Sequence, residues 1–323
     1  MSLSLRIALG LALAVALGPS LAQSPQKYPT RPIRLVLPFP PGGSTDVIAR
    51  VIGQKLTESW GQQVVIDNRP GGGGNIAAEY VARAAPDGYT LFQVNVANTI
   101  AVSLYPKLSY NLMNDFLPIS LLGTTPFVLL AHPSVPAKNV RELIALAKAR
   151  PGQLNYASAG AGSSTHLSGE LLKSMAGIDI VHVPYKGTGP AVTALLSGEV
   201  ELYFAAVSAA APMVKAGRLR ALGVSSAKRA ALMPDVPAIG ETLKGYETVT
   251  WHGVLAPTGT PKEIVQQLSG EIIRIIQTPD VREKLVAQGF DPVGDTPEQF
   301  AAFLRAEIAK WAKVVKASGA RPD

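Results

Sequence analysis

The sequence has no cysteine, only four histidines and a low aromatic content of 6%. Without cysteine the chain forms no disulfide, carries no lipoprotein anchor and lacks the thiolate ligands of many zinc sites. The histidines His132, His166, His182 and His252 make neither an HxH nor an HExxH pair, the spacings that place metal ligands on one element. We therefore expect no metal site.

Charge of one sign is not concentrated along the chain. Lys and Arg number 30 against 23 Asp and Glu, a formal net charge of +7, but no basic run is interleaved with aromatic residues. Nucleic-acid-binding proteins typically carry such a basic patch, so we expect no nucleic-acid partner. The mild positive field suits the collection of acidic solutes, and solubility explains it equally well.

The N-terminus lacks an apolar run long enough to span a membrane. Ile7–Leu17 is apolar over eleven residues, whereas a spanning helix needs about 20. Arg6 precedes this run, and residues 20–22 read Ser-Leu-Ala, so we predict that residues 1–22 are a cleaved secretory signal peptide. A retained anchor is the alternative. About 300 residues remain, enough for one large or two medium domains.

The stretch IRLVLPFPPGGSTDVIAR, which starts at Ile33, predicts a strand, a glycine turn and a helix. Prolines end the strand because they have no N–H to donate, and the glycines leave the turn uncovered by side chains. The serine or the threonine that follows can cap the helix, and the aspartate suits its positive end. Such a helix start binds anions, and an ordinary βα turn, which is common in α/β folds, is the alternative. The candidate residues are Gly42, Gly43, Ser44, Thr45 and Asp46.

A second strand and a third strand complete this part of the chain. Val64–Asp67 and Tyr89–Val94 are predicted strands, with a helix over Ile76–Ala85 between them. The four glycines within Arg69–Asn75 complete neither GxGxxG nor GxxxxGK[ST], so they are a weak nucleotide signal and we expect no cofactor. Asn95–Asn98 ends the third strand, at an edge where loops tend to line a site.

The middle of the chain repeats this pattern without sequence identity. Leu154–Ala157 is a predicted strand, Ser158–Gly162 a turn of small residues, and Ser163–Thr165 the cap of a helix. Further strands follow at Val181–Val183 and Glu201–Phe204. Two glycine–serine turns at helix starts, each with a partial positive charge of about half a unit, predict a cleft with anion sites on both walls. An anion shared by both walls would hold two lobes closed.

Two apolar runs flank this middle part and predict strands that cross between lobes: Phe116–His132 and Val249–Ala256. The predicted first lobe comprises residues 23–125 and 249–323, and the second lobe residues 126–248. Helical patterns over Pro261–Gln277, Pro279–Gln288 and Thr296–Lys316 would pack on the first lobe. The fold class is therefore α/β in two lobes.

Catalytic motifs are missing. There is no GxSxG elbow, and Ser163, Ser164 and His166 are neighbours in sequence where capping serines are common. A catalytic triad needs neighbours in space. We expect no catalytic residue, and a secreted α/β hydrolase stays the unfavoured alternative.

Several motifs together resemble the substrate-binding receptors of tripartite tricarboxylate transporters, the Bug family. The resemblance covers Tyr28 to Pro322 in order, and its motifs include PFPPGGSTDVIAR, VVIDNRPGGGGNIAAE, LNYASAGAGSSTHLSGELLKSMAG, VHVPYKGTGPAVTALLSGEVELYF and WHGVLAPTGTP. It implies a periplasmic-binding-protein type II (Venus flytrap) fold, with a mixed sheet flanked by helices in each lobe and two crossover strands.

The resemblance also implies a function. Such a receptor is periplasmic, binds a small organic acid and delivers it to membrane permease subunits; we expect it to be a monomer without a cofactor. A ligand sensor for a membrane two-component system is the alternative from another class. Carried over to this chain, the resemblance implies that the first lobe binds the ligand through Gly42 to Asp46, with Asn95, Ala97 and Asn98 nearby. The second-lobe grip falls on Ser158, Gly160, Gly162, Ser163, Ser164, Thr165 and His166, with Tyr185, Lys186 and Gly187.

One departure bears on the solute. After the strand Glu201–Phe204 the family usually has polar residues, whereas this chain has Ala205, Ala206 and Val207. That position often faces the ligand, so the resemblance implies a more apolar pocket there. We therefore expect Ala205 and Ala206 to contact a carboxylate with an apolar or aromatic body.

Overall fold

The computed structural model describes Tyr28–Gly319, and the predicted signal peptide lies outside these residues. Contacts divide the chain into an N-terminal unit, Met1–Thr30, of which three residues are described, and a unit that begins at Arg31. The following account concerns the second unit.

Within the described residues, the strands run in the order β2-β1-β3-β9-β4-β7-β5-β6, with β10 and β8 also paired to β4. The strands are β1 (Ile33–Leu37), β2 (Val64–Asn68), β3 (Thr90–Asn95), β4 (Phe116–Ala131), β5 (Asn155–Ser158), β6 (Val181–Pro184), β7 (Leu202–Ala206), β8 (Arg220–Val224), β9 (Val249–Pro257) and β10 (Asp291–Pro292). β1 is parallel to β2 and β3, and β5 is parallel to β6 and β7. The remaining pairs are antiparallel.

The long strand β4 belongs to two sheets. Its residues Phe116–Pro126 pair with β9, and its residues Phe127–Ala131 pair with β7. β9 starts next to the second sheet, because the N–H of Thr248 donates to the carbonyl of Ser225 at 2.9 Å. Each sheet is mixed and flanked by helices. The two-lobed α/β fold with two crossover strands is therefore confirmed.

The helices agree with the prediction to within a few residues at most ends. They are α1 (Ser44–Trp60), α2 (Asn75–Ala82), α3 (Val96–Leu104), α4 (Val140–Ala149), α5 (Ser164–Ala176), α6 (Thr188–Ser197), α7 (Val207–Lys215), α8 (Lys262–Gln277), α9 (Pro279–Ala287) and α10 (Pro297–Ser318), with 3-10 turns at Gly72–Gly74 and Ile239–Glu241. The expectation of a loop after β3 was wrong, since α3 begins directly at Val96.

Helix α5 packs into the cores of both lobes. Leu167 lies in the cluster around Trp251 and Phe300 under the first sheet, whereas Leu172 lies in the cluster around Tyr156 under the second sheet. Successive turns of one helix therefore bury apolar area in both lobes, and this burial ties them together. None of the helices in the described part of the chain combines the length and apolar character of a membrane span.

Candidate functional site

A cavity of about 530 Å³ lies between the two lobes. Its lining contains no charged side chain and consists of Phe39, Gly72, Gly73, Ala97, Ile100, Leu104, Tyr105, Ala159, Gly160, Ala161, Gly162, Ser163 and Ser164. The lower-numbered residues come from loops and α3 of the first lobe, and residues 159–164 form the β5–α5 loop of the second lobe. One wall is therefore largely apolar, and the other is made of small residues and backbone.

Side chains beneath the β5–α5 loop hold its backbone. The hydroxyl of Ser163 donates to the carbonyl of Gly160 at 2.7 Å and accepts from the N–H of His166 at 3.3 Å, so Ser163 caps α5 as predicted. The hydroxyl of Thr165 accepts from the N–H of Ala159 at 2.9 Å. Thr165 is buried and does not line the cavity. These contacts define the wall in advance of any ligand.

The start of α5 presents polar groups that are still free. No described residue accepts a hydrogen bond from the N–H groups of Ser164 and Thr165, and the hydroxyl of Ser164 likewise has no partner among them. Ser164 lines the cavity. Free N–H groups at the positive end of a helix are suited to a carboxylate.

Two histidines lie behind the same loop. Nδ1 of His166 accepts from the N–H of Gly162 at 3.0 Å. Nε2 of His182 lies 2.7 Å from the hydroxyl of Ser158, which accepts from the N–H of Gly160 at 3.1 Å. Burial lowers the pKa of both imidazoles, that of His182 to about 4. Ser158 and His166 are buried and outside the cavity lining, so they support the loop from behind.

The serine–histidine pair that the unfavoured hydrolase alternative would need is not assembled at the cavity among the described residues. Ser163 uses its hydroxyl on the carbonyl of Gly160, and His166 uses Nδ1 on a backbone amide. Ser158 does contact His182, but its side chain is fully buried. Among the described residues, no group of three or more His, Asp or Glu forms a metal ligand set.

The start of α1 differs in detail from the prediction. Gly43 is the N-cap residue, and neither Ser44 nor Thr45 caps the helix with its side chain, so that expectation was wrong. Gly42, Gly43 and Ser44 are exposed and do not line the cavity, although Phe39 of the same loop does. Thr45 is buried, and its carbonyl accepts from Nε2 of Gln93 at 2.9 Å.

Asp46 fastens this first-lobe loop to its surroundings. Its carboxylate accepts two hydrogen bonds from Arg50, at 2.7 and 3.0 Å, and one from the N–H of Gly42 at 3.1 Å. Asn68 donates to the same carboxylate at 3.3 Å. The Arg50 hydrogen bond holds the pKa of Asp46 below its ordinary value. The acceptor capacity of Asp46 is therefore used within the protein.

Helix α3 supplies the apolar wall that the sequence did not reveal. Asn95 and Asn98 form a capping box at its start: Asn95 accepts from the N–H of Ala97, and Asn98 accepts from the N–H of Asn95. Both asparagines are buried, and Ala97 is the predicted residue of this group that lines the cavity. Ile100 and Leu104 follow at helical spacing. That spacing, after an N-cap asparagine, was the available signal for this wall.

The residues predicted after β6 and β7 lie away from the cavity lining. The hydroxyl of Tyr185 donates to Glu199 at 2.8 Å. Lys186 is exposed beside Gly187, the N-cap of α6. Ala205 is fully buried in the second-lobe core, and Ala206 is the N-cap of α7. Neither alanine is part of the cavity lining, whose apolar surface comes from α3, and their contact with a solute stays a prediction.

The model of the tripartite tricarboxylate transporter family receptor matches residues 48–320. The chain belongs to this receptor family. Protein BugT of Bordetella pertussis is 41% identical over 303 residues, which cover 92% of each chain. These comparisons confirm the family that the sequence motifs resemble.

Solved structures of related receptors contain carboxylates. The R. palustris protein Rpa4515, solved with adipate, is 40% identical, has a TM-score of 0.78 and covers 92% of this chain and 100% of its own. MatC of Rhodopseudomonas palustris, solved with malate, is 36% identical, has a TM-score of 0.73 and covers 89% of this chain and 100% of its own. Both receptors share the fold over nearly the whole chain.

Proposed function

We propose that this protein is a non-catalytic receptor that captures a small organic carboxylate between its lobes and delivers it to permease subunits. The observation that carries the proposal is the cavity lined by Ser164, whose N–H and hydroxyl groups have no hydrogen-bond partner among the described residues. Family membership and the carboxylates in related receptors support the same conclusion.

The polar groups of the cavity suggest how the solute is held. The two oxygens of one carboxylate group would accept hydrogen bonds from the N–H and hydroxyl groups of Ser164, next to the N–H of Thr165. Gly160, Gly162 and Ser163 would border it, and Ala97 would face it from the first lobe. The other predicted residues, from Gly42 to Asp46 and around Ser158 and His166, act by positioning these loops.

The apolar wall suggests the rest of the solute. Phe39, Ile100 and Leu104 would cover a hydrocarbon body, because hydroxyl groups placed against them would lose water without gaining partners. We therefore propose a carboxylate with an aliphatic or aromatic body in preference to a hydroxy acid.

The proposal also covers the domain organisation, the oligomeric state and the location of the protein. Residues 23–125 and 249–323 form the first lobe, and residues 126–248 form the second. The receptor works as a monomer in the periplasm after removal of residues 1–22, and it catalyses no reaction.

Isothermal titration calorimetry with adipate, benzoate, malate and citrate tests the proposal. We expect adipate or benzoate to bind, and citrate to bind at least about tenfold more weakly, a difference of about 1.4 kcal/mol. Ser164→Ala should weaken binding, whereas Ser134→Ala, at an exposed position of the second lobe, should not. Failure of all four acids to bind would overturn the proposal that the protein captures a carboxylate. A preference for citrate would overturn only the proposal that the solute has an aliphatic or aromatic body.

A further inference from the structure

The rings of His166 and His182 are stacked behind the β5–α5 loop. Their centroids lie 3.8 Å apart, and the ring planes differ by 11°. The ring of Tyr156 extends the stack, with its centroid 5.0 Å from that of His182. His166 belongs to α5 and His182 to β6, so the stack joins two elements at the back of the cavity wall.

His166 holds one backbone amide of the cavity wall directly, and His182 contacts the serine that holds another. The bond from the N–H of Gly162 to Nδ1 of His166 needs a lone pair on that nitrogen. The N–H of Gly160 is held by Ser158, whose hydroxyl contacts His182. A proton on Nδ1 of His166 would place two donors opposite each other and break the first of these contacts.

The charged surroundings do not favour a protonated pair. Glu170 is the acid near both rings, and it already accepts from the hydroxyl of Tyr156 at 2.6 Å and from Lys173 at 3.0 Å. Lys313 of α10 lines the same surface depression as Glu170 and Lys173. Two positive rings at van der Waals separation would repel each other. The stack is therefore arranged for two neutral imidazoles.

We propose that His166 and His182 are positioning residues that hold the solute-binding loop only while both rings are neutral, so that acidification loosens the loop and releases the solute. The claim that acidification loosens the loop is based on the hydrogen bonds alone. The claim that the solute is then released rests on the proposed function. Burial lowers the pKa of both rings. The loop should therefore loosen only as the pH falls below the ordinary histidine pKa of about 6.5.

Amide NMR spectra of the protein from pH 8 to pH 3.5 test the loop. In the wild-type protein, the Gly162 resonance should shift as the pH falls below about 6.5, and the Gly160 resonance should shift nearer pH 4, where His182 takes up a proton. In His166→Asn the Gly162 resonance should lose this titration, because the asparagine oxygen accepts in place of Nδ1 but takes up no proton. His132→Asn is the matched control: His132 contacts Ser134 on the surface, and its replacement should leave both titrations unchanged.

Adipate binding measured between pH 7.5 and pH 4 tests the release. The wild-type affinity should fall with a slope approaching tenfold per pH unit below the histidine pKa, and that of His166→Asn should fall less. His166→Leu, which removes the acceptor, should bind weakly at every pH; circular dichroism establishes that it is folded.

Two results would overturn the inference: a Gly162 resonance that does not titrate, or an equal titration in His166→Asn and the wild-type protein. If adipate does not bind at pH 7.5, the proposed solute class fails, while the NMR titration still decides the loop.

Discussion

Gly162 illustrates how a single residue shapes the contact between the two walls. Its φ of 73° is a conformation that side chains other than glycine rarely adopt, and a Cβ there would lie 2.9 Å from Cδ2 of Leu104. The position therefore requires glycine both for its backbone and for the close approach of the lobes.

Gly162→Ala should consequently weaken solute binding. The backbone strain costs about 1–3 kcal/mol and lowers the melting temperature, while the contact with Leu104 opposes closure and should reduce adipate affinity about tenfold. Calorimetry and thermal unfolding measure the two effects separately. Leu104→Ala in the same chain should restore part of the affinity.

Gly189→Ala is the control, because Gly189 has no positive φ and a Cβ there meets nothing within 4 Å. Unchanged affinity in Gly162→Ala, or an equal loss in Gly189→Ala, would contradict the importance of this approach.

At the scale of elements, the two lobes use the same local chemistry for different purposes. Asn95 caps α3 and Asn139 caps α4, each by accepting a hydrogen bond from a backbone N–H at 2.9 Å. Helix α3 carries Ile100 and Leu104 to the cavity, whereas no residue of α4 lines it. Substituting Asn139 therefore removes a helix cap alone, whereas substituting Asn95 removes a helix cap and also disturbs a wall of the cavity.

Asn95→Ala and Asn139→Ala should each destabilise the protein by about 1 kcal/mol through loss of a helix cap. Only Asn95→Ala should also reduce adipate affinity, because it loosens the helix that forms the apolar wall. Chemical denaturation and calorimetry on both variants measure this. Equal affinities in the two variants would show that the position of α3 does not matter for binding.

For the whole molecule, the two lobes are expected to unfold together. They share β4, and α5 contributes Leu167 to one core and Leu172 to the other. Differential scanning calorimetry should therefore give a single transition. A bound solute at about 100 times Kd adds about 2.7 kcal/mol of stability, and at about 2–4 °C per kcal/mol the transition should rise by several degrees. Two transitions, with one unmoved by solute, would contradict this coupling.

The sequence by itself determined the fold class and most of the elements. Apolar runs such as Phe116–His132 are local patterns, so they could be recognised without tertiary contacts. Ser163 as a helix cap is equally local, and its prediction was confirmed. The family could be recognised because its motifs occur in order along the chain.

Tertiary structure alone decided which side chains reach the cavity. Ala205 lies in β7 and its side chain packs in the second-lobe core, whereas Leu104 meets Gly162 from the opposite lobe. His166 and His182 stack although a turn, a helix and a strand start separate them. Such contacts depend on the packing of elements distant in sequence, which no local pattern of residues specifies.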